Sequence, residues 1–341
     1  MFSNTLKKIT IWVFFILIIL AVWAVIIAIS GENPFSAFGY ILEGSLGDTG
    51  YFLSTLNKMV PIMLTALAVA IPSWAGIWNI GGEGQLLLGG FGAALIGFSI
   101  NLGSSFLNIL FALIVSALFG LVWALWPGYL KIKLNVDEVV TTLMGNYIAS
   151  YFVLFLINYP FRDHSSPMAQ TKYIDSSFQI PYMFRGSQFS YTFFIALGVV
   201  FIFYFIIRKF KFGYEIRMTG SNPDFSKMSG IKTKKIKLVS MLMGGAVAGL
   251  AGGLLVLGMN HRMMQSFSPG FGFTGLLVCL LAFNNPILIV FISFIFAMLQ
   301  TGSVNLELFS NVPAEISGLL QAVMVLFVSA FKIISMRKGG K

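Results

Sequence analysis

Long apolar runs alternate with short polar segments along the whole chain. Most runs are long enough to cross a hydrocarbon core of about 30 Å as a helix, so the pattern predicts an all-α integral membrane protein with about ten transmembrane helices. We expect residues 1–341 to form a single transmembrane domain. The predicted spans cover residues 11–29, 51–72, 84–101, 105–127, 138–158, 190–208, 236–258, 271–284, 286–302 and 314–334.

The composition supports a membrane protein. Hydrophobic residues make up 57% of the chain and charged residues 10%, and the mean hydropathy is +0.87. A soluble domain carries about 25% charged residues, so a soluble core of this composition is excluded. The run 11–29 has no small-residue cleavage site behind it, and we expect a retained helix rather than a signal peptide. Cys279 is the single cysteine and excludes a disulfide framework.

The basic residues are distributed unevenly between the two predicted faces. Of the 22 Lys and Arg residues, 17 lie at the termini, after the fourth span or in the basic stretch after the sixth span that runs from Arg208 to Lys237. Lys and Arg are enriched in cytoplasmic loops, so both termini and this loop are predicted to be cytoplasmic. The net charge of +10 therefore indicates topology and not a nucleic-acid partner. The other face carries Glu32, Glu43, Asp48, Asp163, Asp175 and Glu307.

Motifs of enzymatic chemistry are missing from the sequence. It contains no phosphate-binding GxxxxGK[ST] loop, no HExxH, no CxxC and no GxSxG. The two histidines, His164 and His261, fall in predicted outer segments without paired ligands, so we expect no metal site. The chain is predicted to move a solute rather than to transform it.

The stretch GIWNIGGEGQLLLGGFGA, residues 76–93, places polar side chains and glycines between two apolar spans. One interpretation is a glycine-rich cytoplasmic turn. The other is a broken helix on a translocation pathway, with Asn79, Glu83 and Gln85 facing water, because polar groups in hydrocarbon require protein or water partners. Asn57 and Asn146 are further pathway candidates inside apolar spans.

The stretch SPGFGFTGLLVCLLAFNNP, residues 268–286, has a similar character in the second half of the chain. It is glycine-rich, opens an apolar run and adds Phe271 and Phe273 to the pathway candidates. The halves, about 51–158 and 236–334, would start on opposite sides of the membrane. We therefore predict an inverted internal repeat, a common plan for transporters.

The loop 209–236 contains a short predicted helix. Asn222 suits the N-cap, Pro223 the first helical position and Gly230 the end. Phe225 and Met228 are three residues apart and share a face. From these residues alone, the helix suits an anionic lipid surface as well as the groove of a partner protein.

Four segments resemble a known family. They are GIWNIGGEGQLLLGGFGA, NVDEVVTTLMGNYIA at 135–149, MTGSNPDFSKMSGI at 218–231 and SPGFGFTGLLVCLLAFNNP. In this order they are similar to the permease subunits of bacterial ABC importers of the branched-chain amino acid and simple-sugar class, and most similar to the nucleoside-uptake branch. The resemblance runs from about residue 50 to residue 330.

The resemblance implies a type II-like permease of ten spans in the bacterial cytoplasmic (inner) membrane. It implies a second permease, two cytoplasmic ATPases that bind ATP and magnesium, and a substrate-binding lipoprotein outside. No cofactor is expected in this chain itself. The lipoprotein would dock near 159–189 and 259–268. The loop helix resembles the coupling helix that docks into the ATPase, formed by Gly220, Asn222, Pro223, Asp224, Phe225, Met228, Gly230 and Ile231.

The function implied is nucleoside import by alternating access, without an active site in this chain. A simple-sugar permease of the same family is the first alternative. An ion-coupled secondary transporter is a weaker one, because it would require intramembrane charged groups beyond Glu83.

Overall fold

A computed structural model describes residues 18, 20–184, 186–310, 312, 313, 315, 316, 318–323 and 326. These residues form helices, turns and two isolated β-bridges. The chain divides into two compact units. The first comprises Met1–Lys58 with Phe294–Lys341, and the second is Met59–Ser293. The all-α class is thus confirmed.

The first unit contains a sharply bent pair of helices. Helix α1, Leu20–Ile29, and α2, Pro34–Leu46, meet at an angle of 107°. Asn33 caps α2 by accepting a hydrogen bond from the Phe35 amide at 2.9 Å. The unit is completed by the start of α3, Thr49–Trp74, and the second part of α12, Pro286–Phe309. Helix α2 is absent from the predicted spans because it has only 13 residues.

The second unit holds the remaining helices. After the rest of α3 come α4, Gly82–Ser99; α5, Ser105–Leu134; α6, Glu138–Asn158; α7, Thr192–Lys209; α8, Lys211–Ser221; α9, Pro223–Met228; α10, Thr233–Leu255; α11, Phe271–Leu281; and the start of α12. A π-helical turn, Val256–Asn260, extends α10, and a short 3-10 turn occupies Ser176–Phe178.

Helices α4, α5 and α10 pack closely at the centre of the second unit. Gly89 of α4 and Gly120 of α5 both lie against Gly249 of α10, and a Cβ on Gly249 would lie 3.0 Å from the Gly120 Cα and closer still to Ser116 O. Small residues permit this approach, which maximises dispersion contacts where lipid supplies no hydrophobic driving force. The glycines after Glu83 thus serve helix packing.

The segment between α6 and α7 lies over the end of α10. The amide of Thr171 donates to the Met263 carbonyl at 2.8 Å, and the amide of Ile180 donates to the Leu257 carbonyl at 2.8 Å. The amide of Asp175 donates to Gly97 O of α4 at 2.8 Å. These backbone bonds tie the segment to both helices.

Among the described residues, six helices are long and apolar enough to cross a membrane, and the bent pair could supply a seventh. This establishes a multi-pass membrane protein, while the count of ten spans stays a prediction. The predicted span 271–284 is corrected. Helix α11 has 11 residues, about 16 Å, because Phe283 and Asn284 adopt positive φ before Pro286. The predicted span 314–334 lies largely outside the described residues, as do residues 11–17 and 19 of the first span.

Candidate functional site

The chain between α3 and α4 is not helical. Residues 75–81 form the segment called here the α3–α4 break. Gly76 has a φ of +75°, and a Cβ on it would lie 3.3 Å from the Cα of Gly220 in α8. Ile77 is buried in a cluster with Ala124 and Met241. A buried irregular backbone requires hydrogen-bond partners from the surrounding protein.

A row of polar side chains on α6 supplies these partners. Glu138, Thr142 and Asn146, called here the α6 polar ladder, lie four residues apart on one face. Glu138 Oε1 accepts from the Trp78 amide at 3.3 Å, and Thr142 Oγ1 accepts from the Ile80 amide at 3.2 Å. The Asn146 amide donates to Ile80 O and its Oδ1 accepts from the Gly84 amide, both at 2.8 Å.

The α6 polar ladder explains the polar residues of NVDEVVTTLMGNYIA. Sequence reasoning found Asn146 but missed Glu138 and Thr142. Their signal was the spacing i, i+4, i+8, which places three polar side chains on one face of a helix. Glu138 also forms an ion pair with Lys131 of α5, with Nζ and Oε2 2.7 Å apart. The first turn of α6 is thus attached to both α5 and the break.

Asn79 and Gln85 form a closed pair. The Asn79 Nδ2 donates to Gln85 Oε1 at 2.9 Å, and the Gln85 Nε2 donates to Asn79 Oδ1 at 3.1 Å. Asn79 also accepts from the Gly81 amide at 3.0 Å. Their exposed fractions are 0% and 1%. The pair therefore satisfies its own buried groups and fixes the turn into α4.

Glu83 lies where the first turns of α4 and α11 meet. Its Oε2 accepts from the Gly272 amide at 2.7 Å, and the Ser268 side chain is a second partner. A Cβ on Gly272 would lie 2.6 Å from the Glu83 Cα, so the approach requires glycine. Glu83 is 6% exposed. Two helix N-termini stabilise a carboxyl group here, because both present amide groups and the positive ends of their dipoles.

A cavity of about 200 Å³ lies beside Glu83. Its polar groups are one carboxyl group, one amide and three hydroxyls, and the rest of its wall is apolar. The described lining residues are Glu83, Leu87, Ser150, Val153, Leu154, Ile157, Met263, Met264, Gln265, Ser266, Phe267 and Ser268. The cavity thus offers hydrogen-bond partners on an apolar background, the usual character of a small-molecule site.

The predicted pathway residues occupy different positions. Glu83 lines the cavity, whereas Asn79, Gln85 and Asn146 lie outside its lining and are buried in the hydrogen bonds of the break. Phe271 is buried, Phe273 is exposed, and the aromatic residue among the described cavity lining is Phe267. Asn57 is a buried residue of the first unit. Phe267 lies just before the stretch chosen from the sequence, and only three-dimensional proximity to Glu83 identifies it.

The loop 209–236 contains two helices, α8 and α9, where sequence reasoning found only α9. The capping pattern was as predicted: Asn222 Oδ1 accepts from the Phe225 amide at 3.0 Å, Pro223 opens α9, and Gly230 has a φ of +81°. Phe225 and Met228 are 52% and 89% exposed. Helix α9 thus presents an apolar face that the described chain leaves uncovered, beside the buried Ser226.

The chain is similar to known transport proteins along most of its length. The family described as "Branched-chain amino acid transport system / permease component" matches residues 51–329. The guanosine ABC transporter permease protein NupP of Bacillus subtilis (strain 168) is 32% identical over 315 residues, which cover 91% of this chain and 90% of the relative. The nucleoside ABC transporter permease protein NupB of Lactococcus lactis subsp. cremoris (strain MG1363) is 32% identical over 341 residues, covering 97% and 93%.

A third relative differs in its printed substrate. The glucose ABC transporter permease protein TsgB13 of Haloferax volcanii is 28% identical over 324 residues, covering 92% of this chain and 85% of the relative. No solved structure matches the chain. The match of the family to more than half of the chain, and two relatives above 30% identity, establish that the chain belongs to the branched-chain amino acid transport system permease-component family.

Proposed function

We infer that this chain is the membrane permease subunit of an ATP-driven ABC importer that carries nucleosides by alternating access. The observation that carries this proposal is the cavity beside Glu83, where a carboxyl group lies between two helix N-termini in an otherwise apolar wall. Relatives named for guanosine and nucleoside transport support the choice of solute.

The chemistry of the cavity suits an uncharged solute with several hydrogen-bond donors. The Glu83 carboxyl group would accept from ribose hydroxyls or base N–H groups, and Gln265 and Ser150 would add further hydrogen bonds. Phe267 and the thioethers of Met263 and Met264 would contact the face of a base. These contacts fit a nucleoside. Asn57 and the two phenylalanines Phe271 and Phe273 stay predictions for other stages of the pathway.

A simple sugar is the second candidate, favoured by the similarity to the glucose permease. Sugar hydroxyls would satisfy the same polar groups. A sugar offers no aromatic face to Phe267 and the two methionines, which is why the nucleoside is preferred.

The exposed apolar face of α9 supports an ATPase partner. Phe225 and Met228 would insert into the groove of a cytoplasmic ATPase, which would hold ATP and magnesium. A second permease would complete the membrane part, and a substrate-binding lipoprotein would dock on the outer segments 159–189 and 259–268. This arrangement places the termini and the loop 209–236 in the cytoplasm of a bacterium, with the chain in its inner membrane.

An inverted repeat and ten spans complete the proposal. The inverted repeat is supported by α4 and α11, which each follow a glycine-rich break and meet at their first turns. Helix α4 ends at Ser99, close to Gly97, whose carbonyl bonds to Asp175 of the predicted outer segment. Helix α11 ends near Asn284, whose carbonyl accepts from Trp74 Nε1 at 2.9 Å, next to α8. The two helices thus end near opposite predicted faces.

Uptake by the assembled transporter tests the proposal. The permease would be purified with its ATPase, second permease and binding protein, and reconstituted in liposomes that contain ATP. We expect ATP-dependent uptake of labelled guanosine that unlabelled nucleosides suppress and glucose does not. ATP-dependent uptake of labelled glucose without uptake of labelled guanosine would favour the sugar permease, and uptake driven by an ion gradient without ATP would contradict both.

A further inference from the structure

We propose that the α3–α4 break, held on the α6 polar ladder, is the element that transmits movement of α8 and α9 to Glu83. The inference rests on the proposed function, and it assigns positioning roles to Gly76, Thr142 and Asn146. A backbone route with defined contacts at both ends joins the cytoplasmic helices to the cavity.

The cytoplasmic end of the route is a contact between two glycines. A Cβ on Gly220 would lie 3.0 Å from both the Gly76 amide nitrogen and the Trp74 carbonyl carbon, so the last turn of α8 lies directly on the end of α3. Ala75 is buried with Ile207, Ile216 and Ile236. Gly220 is two residues from Asn222, which caps α9. A displacement of α9 would therefore act on the start of the break.

The middle of the route is held by side chains of α6. Residues 78–80 lie outside the helices, and the amides of Trp78 and Ile80 and the carbonyl of Ile80 bond to the α6 polar ladder. Thr142 contributes through a hydroxyl that accepts from the Ile80 amide and donates to the Glu138 carbonyl at 2.6 Å. Because these hydrogen bonds run from the break to α6 and not between residues of the break, the segment can shift as one piece along the face of α6.

The upper end of the route is Glu83 itself. Asn146 bonds to Ile80 and to Gly84, and these two residues enclose the turn that leads into α4. Glu83 directly precedes Gly84 in the chain, and its side chain accepts a hydrogen bond from the Gly272 amide. A shift of the break would change the distance between Glu83 and α11, and with it the carboxyl group that faces the cavity.

Two adjacent threonines provide a matched test. Thr142→Val removes the hydroxyl that bonds to the break and keeps the shape of the side chain. Thr141→Val makes the same change one position along, where the hydroxyl bonds only to carbonyls of its own helix, Asp137 O at 3.1 Å and Glu138 O at 3.2 Å. Thr142→Ser restores the hydroxyl and should restore coupling.

The assay combines transport with access to the cavity, in complexes that carry Leu154→Cys, a lining position without a proposed bond to the solute. Cys279 is buried, so labelling of this chain by a thiol reagent would report on position 154. In the parent, ATP should change the labelling rate and guanosine should slow it. We expect Thr142→Val to remove the change in labelling rate that ATP causes and to keep the slowing of labelling by guanosine. The same variant should lower the guanosine transported per ATP hydrolysed by about fivefold, whereas Thr141→Val should behave like the parent.

The outcomes separate the two proposals. An equal effect of ATP on the labelling rate in Thr142→Val and Thr141→Val would overturn the transmission role. If guanosine fails to protect position 154 in the parent, the solute site is wrong, and the ATP effect on labelling still decides the transmission role. Should Thr142→Val lower the yield of complex, Gly76→Ala tests the other end. It strains a positive φ and alters the contact with Gly220, and unchanged ATP-dependent labelling in this variant would contradict the proposal.

Discussion

The backbone amide of Gly272 donates a hydrogen bond to the Glu83 carboxyl group at 2.7 Å, although the two residues are 189 positions apart in the chain. The bond joins the two glycine-rich stretches of the sequence, one from each half. Both stretches thus contribute to a single site.

Glu83 is expected to be essential for transport. Glu83→Ala would leave the Gly272 amide without its partner and remove the acidic group of the cavity, so we expect guanosine uptake to fall by about tenfold or more. Glu83→Gln keeps an acceptor for Gly272 and should retain more uptake than the alanine variant. Glu43→Ala, an exposed position on α2, is the matched control for assembly and uptake. Near-normal uptake by Glu83→Ala would remove Glu83 from the pathway.

The glycine contacts between helices predict a sharp difference between two identical substitutions. Gly249→Ala would place a methyl group against Gly120 and Ser116, and we expect the free energy of unfolding to fall by about 1–3 kcal/mol. Gly198→Ala in α7 meets no atom within 4 Å and should leave stability unchanged or slightly higher. Thermal unfolding of the purified protein in detergent measures both. A neutral Gly249→Ala would contradict the close packing of α5 and α10.

The apolar face of α9 is expected to bind the ATPase. Phe225→Asp places a charge on this face and should weaken association of the ATPase by about tenfold or more, as measured by co-purification and by titration of the subunits. Phe210→Asp makes the same change at another exposed phenylalanine, which precedes α8, and should leave association intact. Equal retention of the ATPase by both variants would argue against α9 as the docking helix.

The stability of the protein is expected to fall in acid because of His261. Burial lowers the pKa of His261 below its usual value, and its Nε2 lies 2.9 Å from the Tyr182 hydroxyl. The folded protein therefore binds fewer protons than the unfolded chain, so stability is full above about pH 7 and decreases as the pH falls below about 6.5.

A variant separates His261 from other acid effects. His261→Asn suits the positive φ of 54° at this position and removes the titrating group. Unfolding temperatures measured from about pH 8 to about pH 5.5 should fall less in this variant than in the parent. An identical pH dependence in both proteins would show that other groups cause the loss.

Apolar run length and composition predicted the membrane class and most of the long helices. The predicted span 138–158 coincides with α6, and Asn222 caps α9 as its sequence pattern indicated. These features depend on residues close together in the chain, where apolar run length and capping rules apply directly. Helix α1 falls within the predicted span 11–29, whereas α2 and the bend before it were missed because α2 has only 13 residues.

The candidate site was predictable only in part. Glu83 and its glycines are visible in the sequence as polar residues among apolar ones. Their partners are not, because Gly272, Ser268 and Phe267 come from the other half of the chain. Asn79 and Gln85 illustrate the same limit. A polar residue in an apolar run faces water or bonds to another polar residue, and only the fold shows that these two bond to each other.

The wall of the cavity carries the acidic Glu83 and, among its described residues, no lysine or arginine. A phosphate ester bears about two negative charges at neutral pH, and no group here would offset their repulsion from Glu83 or their loss of water. A nucleoside that a kinase phosphorylates on arrival in the cytosol would therefore be barred from leaving by the same route. The permease would then admit the nucleoside and exclude the nucleotide that is made from it, so that phosphorylation would retain the solute in the cytosol.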